Sequence, residues 1–158
     1  MGRLPAITGQ DLLGQSKQLP TDLPVERIVI VAAFLRRHQS AADRWITALA
    51  KAGICDSPLY LKPDTKSLVL EFPVMNPRAR FFRKFIDGGM AASIKKAQIL
   101  TRTWTFYTSV DDFCASTGIV DRKQIATLVC DRGGNILALT PGEITRENLD
   151  LILGALSQ

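Results

Sequence analysis

Residues 27–34 read Arg-Ile-Val-Ile-Val-Ala-Ala-Phe, and no other stretch constrains the chain as tightly. An apolar, β-branched run without polar alternation suits a strand covered on both faces. Such a strand asks for a sheet with layers above and below it. The longest apolar run, residues 28–35, falls far short of the ~18 or more residues that a membrane-spanning helix needs. With 158 residues, 46% of them hydrophobic and 22% charged, the chain has the size and composition of one globular domain. No apolar leader follows the opening Met-Gly-Arg-Leu-Pro, so the expected protein is soluble and cytoplasmic by default, or periplasmic or organellar where a leader has been removed.

The remaining elements fall around that strand. Residues 4–24 carry Thr8-Gly9, Leu13-Gly14 and three prolines, and read as an arm or short hairpin. Ser40, three residues before Asp43, resembles a capping box for a helix starting at Ala41, with Trp45, Ile46 and Leu49 on one side and Gly53 as its stop. Residues 67–72 form a second strand ended by Pro73. From Pro77, Phe81, Phe82, Phe85 and Ile86 recur at helical spacing, Gly88-Gly89 interrupts, and residues 91–99 resume the helix. A third strand covers 104–108 and a short acidic helix 110–117. Residues 125–130 and 136–139 then make a hairpin around Asp131-Arg-Gly-Gly-Asn135. Thr145 caps a last helix whose stripe is Leu149, Ile152, Leu153 and Leu156.

Charge is unevenly placed. The net charge is +5, yet residues 77–102 hold seven basic side chains (Arg78, Arg80, Arg83, Lys84, Lys95, Lys96, Arg102) against one acid, Asp87, leaving 13 basic and 14 acidic residues elsewhere. Such a segment suits an acidic protein surface or an anionic membrane surface. The competing reading makes the aromatics core contacts and the charges a solvated face. Nucleic acid is disfavoured by the lack of a zinc pattern, an aromatic RNA-binding motif or a helix-turn-helix.

The order of elements resembles the thioredoxin-like fold, in its TlpA and peroxiredoxin-type branch. Leu4-Pro5, Leu13-Gly14 and Leu19-Pro20 before the buried strand are similar to that branch's lead-in, and residues 126–136 followed by 142–149 to its hairpin, turn and last helix. The resemblance implies an α/β domain over residues 25–158: a central mixed sheet flanked by helices, with a C-terminal β-hairpin and last helix, preceded by an arm or short hairpin over 1–24. It also implies where the dithiol of the family would sit. With Phe34 closing the active-site strand, C-x-x-C falls on Gln39-Ser40-Ala41-Ala42, which holds no cysteine. The family's cis-proline falls on Ala126, where a cis bond would cost about 2.5–4 kcal/mol and a trans bond is expected. Shorter pieces, Phe81-Phe82-Arg83-Lys84, Gly89-Met90, residues 104–107 and 129–136, resemble the mitochondrial ATP synthase assembly chaperones, which share the fold and also lack the dithiol.

Three cysteines remain, Cys55, Cys114 and Cys130, with no C-x-x-C among them. Cys55 follows a helix C-terminus beside Asp56, Cys114 follows Asp111 and Asp112, and Cys130 lies in an apolar strand; each setting opposes a thiolate. His38, the single histidine, stands beside the helix start with Gln39 and Ser40. It reads either as a proton donor or binding contact of a degenerate pocket, or as an exposed loop imidazole. Arg36, Arg37 and Arg44 surround the same helix start, where an anion or a partner could be met. One histidine makes a metal site improbable, and no cofactor or catalytic residue is expected. The function expected is therefore protein binding without catalysis, as a chaperone or assembly factor. The alternative is a divergent thiol oxidoreductase or peroxidase using Cys55 or Cys114.

Overall fold

The computed structural model describes residues 2–77 and 94–158; the sequence reading for residues 78–93, including Arg78, Arg80, Arg83, Lys84 and the pieces around Phe81 and Gly89, lies outside them. Seven strands form one mixed sheet: β1 (Thr8–Asp11), β2 (Ser16–Gln18), β3 (Arg27–Ala33), β4 (Ser67–Met75), β5 (Trp104–Tyr107), β6 (Ala126–Asp131) and β7 (Ile136–Pro141), in the order β2-β1-β5-β4-β3-β6-β7. The described helices are α1 (Gln39–Lys51), α2 (Ile94–Arg102), α3 (Val110–Thr117) and α4 (Arg146–Leu156).

The run at 27–33 becomes the central strand. β3 lies parallel to β4 and antiparallel to β6, and every residue from Ile28 to Ala33 is buried. Ile28, Ile30 and Ala32 face one core with Leu4, Leu19, Phe72, Phe106 and Phe113, while Val29 and Val31 face the other with Trp45, Leu49 and Ile152. Both sides of the strand therefore gain about 1.5–3 kcal/mol per large side chain, which is why no alternation was needed. α1 and α4 cover one face; α3 and the N-terminal segment cover the other.

Several boundaries differ from the sequence reading. β4 does not end at Pro73: it continues to Met75, because Val74 and Met75 pair with Phe106 and Tyr107 of β5 and hold the ladder beyond the one missing donor. α2 runs to Arg102, past the expected end at 99. Residues 8–18 form a short hairpin, one of the two expected forms, and β1 also pairs antiparallel with β5, which joins the hairpin to the sheet.

The C-terminal third matches its pattern closely. Asp131 accepts bonds from the backbone and side-chain amides of Asn135, and Gly134 takes φ +85°, a left-handed geometry that a side chain would strain, with Pro20 at 3.2 Å from where a Cβ would sit. Thr145 caps α4, accepting from the Asn148 amide at 3.1 Å while Asn148 returns a bond to the Thr145 amide. Thr145→Ala is expected to lower the unfolding free energy by about 1 kcal/mol, read as a lower urea midpoint at unchanged slope.

Candidate functional site

β3 hands the chain to α1 through Phe34, Leu35 and a 3₁₀ turn at Arg36–His38. The helix begins at Gln39, two residues earlier than expected, and Ser40 sits inside its first turn rather than capping it. The cause is the turn itself, which feeds straight into the helix with the His38 amide already bonded to the Leu35 carbonyl. Asp43, expected to reach back to the Ser40 end, instead accepts a bond from the Gln39 amide at 3.0 Å.

His38 is neither an exposed loop imidazole nor a free proton donor. It is 5% exposed, and its Nδ1 accepts from the Phe34 and Leu35 amides at 3.0 and 3.2 Å. Backbone N–H groups only donate, so Nδ1 is unprotonated and Nε2 carries the hydrogen, donating to the Lys123 carbonyl at 3.0 Å. The ring thus ties the end of β3 to the loop before β6. Burial first, and Arg37 besides, lower its pKa below the ordinary 6.5, against the raising influence of the Lys123 bond and Asp121.

Gln39, the first residue of α1, faces inward to the sheet. Its Nε2 bridges two carboxylates, Asp43 Oδ1 at 3.0 Å and Glu71 Oε2 at 3.2 Å. Glu71 is the acid the sequence reading passed over: it lies mid-strand in β4, in register with Val31 on one side and Thr103 on the other, and is 3% exposed. Burial pushes its pKa up to about 7, moderated by the Gln39 bond and the positive Arg102, while Asp43 adds to the rise. Above it is a cavity of about 210 Å³ lined by Leu12, Gln39, Asp43, Glu71, Ile99, Arg102 and Thr103. Arg102, 9% exposed, closes this cavity from α2; it pairs with Asp56 at 3.6 Å, donates to the Asp56 carbonyl, and leaves its buried Nε–H without a partner.

The other candidates disperse. Arg44 is bound bidentately by Glu143, one bond at 3.1 Å, and Arg37 donates to the Lys123 carbonyl, while Arg36 is exposed; they do not converge on the helix start. Lys95 and Lys96 lie on α2, with Lys96 partly exposed. Ala41 and Ala42 are buried against the core of α1. Ala126 starts β6 and lines a shallow cavity of about 220 Å³ with Ile119, Val120 and Leu139; among the described residues the one cis bond is Leu19-Pro20, so Ala126 follows a trans peptide as expected.

The thiols lie elsewhere in the fold. Cys55 precedes the Pro58–Tyr60 turn and donates to the Ser57 carbonyl at 3.2 Å. Burial raises the Cys114 pKa, with Arg122 opposing and Asp111 adding to the rise. Cys130, inside the sheet core, is pushed up to about 12 by burial, with Asp131 adding to it. Among the described residues no three His, Cys, Asp or Glu side chains gather as a metal site, and no helix is long and apolar enough to cross a membrane.

No protein-family profile and no curated protein matches the chain. Solved structures do. BsSco, a member of the Sco family of cytochrome c oxidase assembly proteins, aligns over 99% of this chain and 92% of its own with a TM-score of 0.60 at 14% identity. The pneumococcal exposed lipoprotein thioredoxin Etrx1 of Streptococcus pneumoniae aligns over 96% and 97%, with a TM-score of 0.56 and 12% identity. A secreted thiol-disulfide isomerase of Corynebacterium glutamicum aligns over 98% and 86%, with a TM-score of 0.56 and 19% identity.

The chain has the thioredoxin-like fold.

Its mixed sheet, helices and C-terminal hairpin with last helix are those of that fold. Against that background the start of α1 stands out chemically. There a carboxamide bridges two acids and, three residues on, the Ala42 methyl is buried.

Proposed function

We propose that this thioredoxin-like domain works without thiol chemistry, by binding protein, as a chaperone or assembly factor. The observation that carries the reading is Gln39: its side chain is committed to Glu71 and Asp43 at the place where a nucleophilic sulfur would stand. Neither that amide nor the buried Ala42 methyl can attack or accept a disulfide sulfur, and the thiolate that exchange requires is opposed by burial at Cys114 and Cys130. Assembly work is compatible with the fold, since BsSco is described as belonging to a family of assembly proteins. The pieces at 81–84 and 129–136, similar to ATP synthase assembly chaperones, point the same way. The partner we propose presents acidic surface to the basic segment, whose local excess of positive charge exceeds that of the whole chain.

Two assays on the purified chain test the reading: dithiothreitol-driven insulin reduction, and alkylation of each thiol as a function of pH. No reductase turnover is expected, and no thiol with an apparent pKa well below the free-thiol reference of ~8.5. Turnover that maps to Cys55 or Cys114 would replace this reading with the single-cysteine oxidoreductase.

The charge segment is tested separately. Gln at Arg83, Lys84, Lys95 and Lys96 is expected to weaken co-purification of an acidic partner from the native source, most strongly at low salt. A salt series with unchanged recovery removes the electrostatic contribution.

A further inference from the structure

The cavity over Glu71 has a polarity that the described residues do not themselves satisfy. Glu71 and Asp43 share a single carboxamide, Gln39, and among the described residues neither forms an ion pair. Among the described residues the one cation lining the cavity, Arg102, is already paired with Asp56. Arg102, itself a lining residue, also carries a buried Nε–H with no acceptor, a second unmet bond in the wall of the cavity. A ligand that completes both sides brings a cationic donor for the two carboxylates and, next to it, an oxygen acceptor for the guanidinium. Leu12 and Ile99 add apolar wall to the same cavity.

We infer that the cavity over Glu71 binds an α-ammonium group with an adjacent carbonyl oxygen, the chemistry shared by a peptide N-terminus and a free small α-amino acid. The ammonium is held by Glu71 and Asp43, and the carbonyl accepts from Arg102. A cavity of about 210 Å³ has room for one small residue. The inference deepens the protein-binding reading by naming what the partner presents at this site. Charge supports it: a bare carboxylate ligand would meet Asp43 and Glu71 with only Arg102 in its favour, and a neutral amide would leave both acids uncompensated.

Binding is linked to protons. Among the described residues the groups facing Glu71 are Asp43 and the Gln39 amide from α1, Arg102 from α2 with Asp56 behind it, and the uncharged Thr103. An ammonium bound there holds Glu71 ionised, so affinity rises as pH climbs toward 7 and falls again once the ligand's own amine, with a reference pKa of about 7.7–8.0, loses its proton.

Isothermal titration of the full chain at pH 7 tests this with four probes: alaninamide, alanine, N-acetylalaninamide and ethylamine. Alaninamide is expected to bind at least tenfold more tightly than N-acetylalaninamide, which lacks the ammonium, and than ethylamine, which lacks the acceptor. Alaninamide above alanine identifies a chain N-terminus as the source, and the reverse order a free amino acid. Glu71→Gln, close in shape to the native side chain, is expected to weaken alaninamide at least tenfold and to flatten the acid limb of its pH profile. Arg102→Lys, which keeps the charge and removes the Nε–H, is expected to bring alaninamide down toward ethylamine. Equal binding of alaninamide and its acetylated form, no binding of alaninamide, or indifference to Glu71→Gln each overturns the inference. None of these outcomes bears on insulin reduction, so failure of the cavity and failure of the non-catalytic reading are told apart.

Discussion

His38→Ala is expected to lower the unfolding free energy by about 3 kcal/mol at pH 7.5, although the residue lies on the surface-facing link between a strand and a helix. Three bonds are lost at once: the Phe34 and Leu35 amides lose their acceptor, and the Lys123 carbonyl loses its donor. A buried polar group left unpaired costs about 1–3 kcal/mol, and the ring's packing on Phe34, with centroids 6.4 Å apart, is lost as well. The same geometry sets a pH dependence. The folded ring is neutral with Nδ1 as acceptor and its pKa lies below the ordinary 6.5, so its stabilisation is complete above that value and declines as pH falls below it, where the unfolded ring takes up a proton first. Urea midpoints from pH 7.5 down to 5 should converge for wild type and variant as this contribution fades. Curves that coincide at pH 7.5 would show that the imidazole holds nothing in place.

Glu71→Gln is expected to act in the opposite direction. The folded carboxyl titrates at about 7 against an ordinary 4.5, because burial disfavours its anion more than Gln39 and Arg102 favour it. An acid whose folded pKa is raised stabilises the fold fully below 4.5. That contribution is lost as pH rises from 4.5 through 7, by about 3 kcal/mol for a shift of this size. Glutamine keeps an oxygen for the Gln39 amide and carries no charge to bury. The variant should therefore equal wild type near pH 4.5 and exceed it at pH 8, by about 3 kcal/mol. Parallel stability profiles across that range would mean that the acid is solvated in the folded protein and that the cavity has a higher effective polarity than its lining suggests.

The two residues differ in how legible they were. Glu71 announced itself, since a lone carboxylate inside Leu-Val-Leu-Glu-Phe contradicts the apolar environment of its neighbours, and the strand reading alone placed it between buried positions. Its burial alone does not reveal its partners, which come from α1 and α2. Gln39 was identified through the resemblance, but nothing in its local sequence says that it spans Asp43 four residues on and Glu71 thirty-two residues on. Arg102 was counted with the basic segment, and its pairing with Asp56 removes it from any surface charge. Ser40 misled for a physical reason: a hydroxyl three residues before an acid caps a helix only where the first amides are orphaned, and the turn at Arg36–His38 leaves them otherwise arranged.

Hydrophobic pattern by itself determined the central strand, the C-terminal hairpin and the capped last helix, because each is specified by side chains near in sequence whose burial or turn geometry admits one local answer. Only the tertiary structure decided the chemistry at the start of α1. There an imidazole, a carboxamide, two acids and a guanidinium are brought together from three elements and a turn, and whether a polar group is a solvated charge, a buried bond or an unmet donor depends on neighbours that sequence distance conceals.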